Sequence, residues 1–394
     1  MKLIMTLMVR DEADIIGPMI DHHLAQGVDT IIVTDNGSVD GTFEILRSYG
    51  GAIVLKQDLV QRKQQHSVVT AMAREAYTRF GADWVVNADA DEFWLPTADG
   101  RTLREVFTDI PQQLQMFRVP VIDMIGGASL RGTGLQRLRY RDTRSPARLH
   151  ELGLHAHSTP NAVHVGHEFI EVAQGNHSVN LESGGTLPDQ LGIEVLHFPW
   201  RSWEQFERKV RNSGTAYESN PDLQPSPNHH GMREYRRWKL GSLQSFYVLR
   251  HPAAEELNQG VLTGELRLDS RIADTMASPI EDEPLDAFTE GSARTYGPIL
   301  SAAEQESRTL TAASNLRIAE LLGYIDEAKH RIDALLADLI EVTAGAARRE
   351  EFLTAELGRQ KVELERQKSE LERLRARKVV RLTDAVRRAT QRLR

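Results

Sequence analysis

Short apolar runs alternate with segments of helical spacing through the first hundred residues, the pattern of a mostly parallel sheet covered by helices. Leu3 to Val9 reads as the first strand. Asp14 stands where a helix from about Ile15 to Gln26 needs an N-cap, and Gly27 ends it. Thr30 to Thr34 is the second strand. The loop Asp35-Asn36-Gly37-Ser38-Val39-Asp40-Gly41 is rich in turn formers and leads to a helix reaching about Tyr49. Ala52 to Leu55 is a third strand, Gln64 to Phe80 a longer helix, and Trp84 to Asn87 a fourth strand. That strand runs directly into Ala88-Asp89-Ala90-Asp91-Glu92-Phe93-Trp94. Acidic clusters thus fall at the carboxyl ends of strands, where open α/β sheets bind ligands.

Beyond residue 110 the β-like runs shorten. Met116 to Ile122 and Ala162 to Val165 are separated by stretches with many Gly, Pro and His residues. Trp203 to about Tyr217 is helical, and Asn220 to His230, rich in Pro and Asn, reads as a loop or lid. Residues 276–300 mix Pro, Gly and acidic residues and read as a linker. Further on, Ile318, Leu322, Ile325, Ile332, Leu336 and Leu339 recur at alternating three- and four-residue steps, an a/d seam with Lys329 in one slot. A weaker seam from Glu350 to Arg377 spaces Leu357, Leu364 and Leu371 by seven, with Gln360 and Gln367 between them. The first seam needs a covering helix. A second copy of the chain is the expected partner, and folding back across Gly345 is the alternative.

Composition narrows the function classes. The chain of 394 residues has no cysteine, which excludes disulfides and thiolate metal sites and suits a reducing, cytoplasmic setting. Arg10-Asp11-Glu12 stops the apolar N-terminus short of a secretory signal, and no apolar run approaches the roughly 20 residues that cross a bilayer. The net charge of −8 conceals an asymmetry: Arg359 to Arg394 holds thirteen Lys/Arg against five Asp/Glu, +8 in all, leaving −16 on the rest. An acidic body argues against nucleic acid as a ligand. The basic end, with apolar residues among its arginines, suits peripheral contact with the anionic inner face of a membrane.

Asp89-Ala90-Asp91 carries the sharpest chemical signal. Breaking a sugar–nucleotide bond leaves a diphosphate with two negative charges, which Mg²⁺ or Mn²⁺ can neutralise. Two carboxylates spaced i, i+2 at a strand end can reach one such hard cation. A bare D-x-D is common, but this one follows an apolar strand and precedes Glu92-Phe93-Trp94.

Four motifs in order, Met8-Val9-Arg10-Asp11-Glu12-Ala13-Asp14-Ile15-Ile16, His23 with Gly27-Val28-Asp29, Asp35 to Thr42, and Asp83-Trp84 with Asn87 to Phe93, resemble bacterial family-2-type glycosyltransferases. The resemblance continues through Gly175-Asn176-His177 and His197-Phe198-Pro199-Trp200-Arg201-Ser202, to about residue 220, with Asn36 replacing the commoner Asp. It implies a GT-A fold: a Rossmann-like, mostly parallel α/β sheet with helices on both faces, here followed by an α-helical coiled-coil tail. The expected domains are 1–275, divided into a nucleotide-sugar-binding half (1–110) and an acceptor half (111–275), the linker 276–300, and the tail 301–394. By position, the resemblance puts Arg10 and Asp11 near base and ribose, Asp35 at the base, Asp89 and Asp91 at metal and ribose, and His197 at the metal or diphosphate, with His177 nearby. It implies a nucleotide-diphosphate sugar donor, a glycan or lipid-linked acceptor, divalent Mn²⁺ or Mg²⁺, and an inverting transfer.

An inverting transfer needs a carboxylate base, for which Asp123 and Glu168 are the candidates. Arg62 and Lys63 can reach the donor diphosphate or simply start a solvated helix. Trp200 and Trp203 can stack on a sugar or pack in the core. Seven of the fourteen histidines lie between His150 and His197. His155 with His157, or His164 with His167, could ligate zinc, but satisfying loop hydrogen bonds is the better reading for most. A dinucleotide-dependent oxidoreductase lacks its Gly-x-Gly-x-x-Gly here, and a nucleotidyltransferase its Gly-rich basic loop. An assembly protein using the GT-A domain only for binding is the non-enzymatic alternative.

Overall fold

In a computed structural model describing residues 1–60, 65–218, 230–342 and 347–391, β1 (Leu3–Val9) is buried along nearly its whole length. Its side chains alternate between two cores, as a strand covered on both faces requires. Leu3, Met5 and Leu7 join a cluster with Ile16, Ile20 and Phe107, while Ile4 packs with Val69, Met72 and Ala76. Three βα units follow one another: α1 (Ile16–Ala25), β2 (Thr30–Asp35), α2 (Thr42–Ser48), β3 (Ile53–Gln57), α3 (Gln65–Thr78) and β4 (Trp84–Ala88). The four strands are parallel in the order β3-β2-β1-β4, so strand order reverses beside β1 and the crevice for a ligand opens at the carboxyl ends of β1, β2 and β4.

Next come β5 (Glu92–Pro96), α4 (Leu103–Asp109), β6 (Met116–Val119), β7 (Val121–Ile125), β8 (Tyr140–Asp142), α5 (Pro146–Glu151), β9 (Asn161–Val165) and β10 (Ile193–His197). β9 and β6 extend the first sheet, with β9 antiparallel to β4. The single strand expected from Met116 to Ile122 is two strands. Pro120, which has no N–H to give a ladder, separates them, and β6 joins the first sheet while β7 joins a second. The second sheet has the order β11-β8-β7-β10-β5, where β11 is Leu266–Leu268.

Four helices and a short strand complete the first unit: α6 (Trp203–Glu218), α7 (His230–Lys239), α8 (Leu243–Arg250), α9 (Ala254–Thr263) and β11 (Leu266–Leu268). The chain divides into two compact units, Met1–Pro298 and Ile299–Arg394. Inside the stretch expected to be a linker, helix α10 (Ala287–Val342) begins and runs on without a break, and α11 (Ala347–Gln391) follows it. Within the second unit, α11 covers α10. Leu321, Ile325 and Leu371 are buried together with Ile318, Leu364 and Leu374 against them, and Arg317 pairs with Glu370 at 3.0 Å. The seam keeps Ile318 and Ile325, but its intervening positions are Leu321 and Ala328 and not Leu322 and Lys329, since Leu321 is 1% exposed and Leu322 46%. Leu339 and Gly345 lie outside the residues whose side chains or backbone are described. Among the described residues no helix is long and apolar enough to cross a membrane.

Candidate active site

Two loops and one helix enclose the crevice above β1. The loop after β1 turns at Asp11, whose φ of 56° is rare for a residue with a side chain. Its carboxylate accepts from the Val39 backbone N–H at 2.8 Å and from Asn212 Nδ2 at 2.9 Å, joining the loop after β2 to helix α6. Asp35, at the end of β2, is fully buried. Its Oδ2 accepts from the backbone N–H groups of Gly37 and Ser38, and its Oδ1 has no partner. Asn36 instead props up the following chain, donating to the carbonyls of Asp58 and Val60.

Between these loops and α6 lies a cavity of about 260 Å³, lined among others by Arg10, Asn36, Gln205, Arg208, Lys209 and Asn212. Two buried oxygens here have no hydrogen-bond partner: Gln205 Oε1, on a residue that lines the cavity, and Asp35 Oδ1, on the residue before Asn36 of its wall. Buried polar groups are almost always paired, so a group of unpaired ones beside a cavity marks where a polar ligand completes the set.

The acidic motif follows β4. His22 and His23 of α1 fix its downstream strand: His22 Nε2 lies 2.8 Å from the carbonyl of Trp94, and the N–H of Trp94 donates to His23 Nε2 at 3.1 Å. Asp89 Oδ1 accepts from Gln65 Nε2 at 3.1 Å and from Asn176 Nδ2 at 3.4 Å. Asp91 is 2% exposed and surrounded by nitrogen. Lys209 Nζ lies 2.7 Å from its Oδ2, Arg201 Nη1 3.7 Å from the same oxygen, and His197 Nε2 3.6 Å from Oδ1. Burial would raise the Asp91 carboxyl, but Lys209, His197 and Arg201 outweigh it and hold the group well below the usual carboxylate range. Burial and then the charge of Asp91 push Asp89 the other way. Glu92, which accepts twice from Asn161 Nδ2, is pushed up to about 8 by burial and then by Asp89.

His197, at the end of β10, bridges two carboxylates. Its Nδ1 is 2.9 Å from Asp123 Oδ1 and its Nε2 faces Asp91. Burial alone would lower its pKa; Asp91 and Asp123 reverse that and raise it to about 10. Asp123, at 0% exposure, also accepts from the Ser158 N–H and hydroxyl. It therefore orients His197 and has no open face toward an acceptor hydroxyl. Glu168 is exposed and follows β9, whose end at Val165 pairs with Trp84 at the start of β4. That is the edge of the sheet opposite the motif, so the fold does not bring Glu168 to the crevice. Arg62 and Lys63 lie outside the described residues. His177 is exposed, and the residue of its motif that touches the site is Asn176.

The N-cap expected at Asp14 falls on Ile15, without a side-chain cap. Asp14 instead takes two hydrogen bonds from the buried guanidinium of Arg201, which also pairs with Glu12 and donates to the carbonyl of Phe198. Arg208, Lys209 and Asn212 were missed as well. Gln205, Arg208, Lys209 and Asn212 recur at three- and four-residue steps, a polar stripe on a helix that looks like a solvated face until the fold turns it inward. Trp200 is buried in the core beneath the Arg250 guanidinium.

The divalent metal implied by the motif does not fit these side chains as they stand. Among the described residues no group of three His, Asp or Glu is placed to hold an ion. His155 and His157 meet the carbonyls of Ala156 and Arg144, and His164 bonds Asn87. A cation brought to Asp91 would also stand close to Lys209 and Arg201, and like unit charges about 4 Å apart repel by about 4 kcal/mol near a protein surface.

Residues 6–156 match the model of glycosyl transferase family 2. This segment, from β1 past the acidic motif and Asp123, is similar to that family. The match ends before His197, Arg201 and Lys209. No curated protein sequence matches the chain. Among solved structures it is similar to S. aureus TarS, at 15% identity over 63% of this chain and 47% of that one, with a TM-score of 0.31. Residues 1–349 of TarS in complex with UDP align at 15% identity over 66% and 78%, with a TM-score of 0.30. Glucosyl-3-phosphoglycerate synthase from Mycobacterium tuberculosis, in complex with Mn²⁺, UDP and glucosyl-3-phosphoglycerate, aligns at 20% identity over 42% and 56%, with a TM-score of 0.23. The chain spans about half the length of TarS, and likenesses this distant carry no weight for what it binds.

Proposed function

We propose that the enzyme transfers a sugar from a nucleoside-diphosphate sugar to a glycan or lipid-linked acceptor, with inversion. The unpaired Oδ1 of fully buried Asp35 is the observation that carries the donor assignment. A carboxylate oxygen at the end of β2 without a donor calls for an N–H from a ligand, and a nucleobase presents one. The cavity beside it is of a size for a nucleoside, and its cationic wall, Arg10, Arg208 and Lys209, suits the diphosphate. Because the described side chains do not make a metal site, the Mn²⁺ or Mg²⁺ of the resemblance has no step in this account. Self-association of the helical unit and contact of its basic end with the inner face of a membrane complete the proposal.

A thermal-shift panel of nucleotide sugars tests the donor, since only a ligand of the folded state raises its melting temperature. A cognate donor should stabilise the parent strongly. Asp35→Asn, which presents a competing N–H, should weaken its binding by about tenfold or more, the loss of one buried hydrogen bond to a charged group. Equal affinity in parent and variant would remove Asp35 from the site, and no shift with any nucleotide sugar would remove the donor assignment.

A further inference from the structure

Cations of the chain itself already surround the second carboxylate of the acidic motif. Lys209 Nζ meets Asp91 Oδ2 at 2.7 Å, Arg201 approaches the same oxygen at 3.7 Å, and the imidazole of His197 faces the other at 3.6 Å. Arg201 is sealed in, with 0% of its side chain exposed, and its remaining N–H groups are taken by Glu12, Asp14 and the Phe198 carbonyl. Lys209 is different. Its side chain is 45% exposed and lines the cavity together with Arg10 and Arg208. An ammonium has three donors and the freedom to share them, so one Nζ can hold Asp91 and an anionic oxygen in the cavity together.

We propose that Lys209 is the resident counter-cation of this centre, so that the enzyme binds its nucleoside diphosphate without a divalent ion. This rests on the donor assignment above. A metal would have to displace Lys209 from Asp91 or sit beside it, and no set of three acidic or imidazole ligands among the described residues is arranged to compensate. In the first carboxylate of the motif, one oxygen, Asp89 Oδ1, is held by the amides of Gln65 and Asn176. The position of Lys209 on α6 makes the charge permanent: the helix is anchored by Phe206, Val210 and Tyr217 on its buried side and needs no ion to arrive before the donor. The acidic motif then positions a lysine at the diphosphate, and Asp91 is a positioning residue.

Calorimetric titration of the full chain with UDP, GDP, ADP, CDP and dTDP, each in excess EDTA and again in excess Mn²⁺, separates the possibilities. One of these probes should bind with the same affinity in both buffers. Lys209→Met keeps the aliphatic stem and removes the charge; it should weaken binding in EDTA by about tenfold to a hundredfold, the range for one hydrogen bond to a charged group, with Mn²⁺ restoring part of the loss. Lys209→Arg should bind as the parent does. Binding by the parent only when Mn²⁺ is present, or unchanged binding by Lys209→Met in EDTA, overturns the role of Lys209 while leaving the donor site intact. No binding of any probe in either buffer overturns the donor assignment, and this inference with it.

Discussion

Asp91 is the anion that Lys209, Arg201 and His197 share, while Arg201 keeps Glu12 and Asp14 and His197 keeps Asp123. Asp91→Asn should cost about 1 to 3 kcal/mol of stability, the scale for removing one partner of a buried charged contact. Transfer should fall at least a hundredfold, roughly the effect of losing one preorganised electrostatic contact. A variant with parental urea stability would show that the cations are solvated. A second consequence concerns pH. The folded pKa of His197 lies above its ordinary value, so its contribution to stability is complete below about 6.5 and is lost as pH rises through about 10. Asp123 is one of the two anions that raise it, so Asp123→Asn should move this alkaline loss to lower pH. Urea midpoints measured across that range would show it, and an unmoved alkaline limb would mean that Asp91 alone holds the proton. At this scale Asp35, Asp89 and Asp91 were legible because each ends an apolar strand. Asp123 was legible only as an acid after a strand, since its partners His197 and Ser158 come from distant parts of the sequence.

Elements bring such distant residues together, and Arg201 shows how. It lies in the turn between β10 and α6, and its guanidinium spans the loop after β1 through Glu12 and Asp14. The start of α6 is thereby tied to the end of β1, and the face of α6 bearing Arg208, Lys209 and Asn212 is aimed into the crevice. Arg201→Lys keeps the charge but cannot span both carboxylates with a planar fork. It should destabilise the first unit by about 2 kcal/mol or more and weaken nucleotide binding, although Arg201 does not line the cavity. Loss of stability with unchanged nucleotide affinity would separate the tie from the aim of the helix. The βα alternation was readable from apolar spacing because strands 1 to 4 are local units that follow one another. The run Met116 to Ile122 was read straight through Pro120, and the switch of β6 and β7 into different sheets depends on pairings with β9 and β10, which no local pattern encodes.

At the scale of the whole molecule the chain consists of two compact units, and each has its own core. The heptad pattern announced the second unit and the need for a covering helix, but it favoured a second copy because Gln360 and Gln367 weaken the later seam, whereas α11 of the same chain covers α10. The seam shifts only at its intervening positions. Leu321, Ile325 and Ala328 are all within 6% of full burial, at the same three- and four-residue steps as the expected stripe, and Leu322 is left on the outer face. Two cores predict two thermal transitions, of which only the first responds to a nucleoside diphosphate. Leu321→Ala opens a cavity in the small cluster with Ile325 and Leu371, and such substitutions cost about 2 to 5 kcal/mol. The helical transition should therefore drop by many degrees while the nucleotide-responsive one stays in place. Circular dichroism following both transitions checks this, and a joint shift of the two would show that the units melt as one. Light scattering on the same variant tests in solution that α11 of the same chain covers the seam. If α11 of the same chain does, Leu321→Ala leaves the molecular mass of the full chain unchanged at temperatures below the helical transition. If the seam pairs two copies, the mass falls as the cluster is emptied, because Leu321 would then hold the copies together.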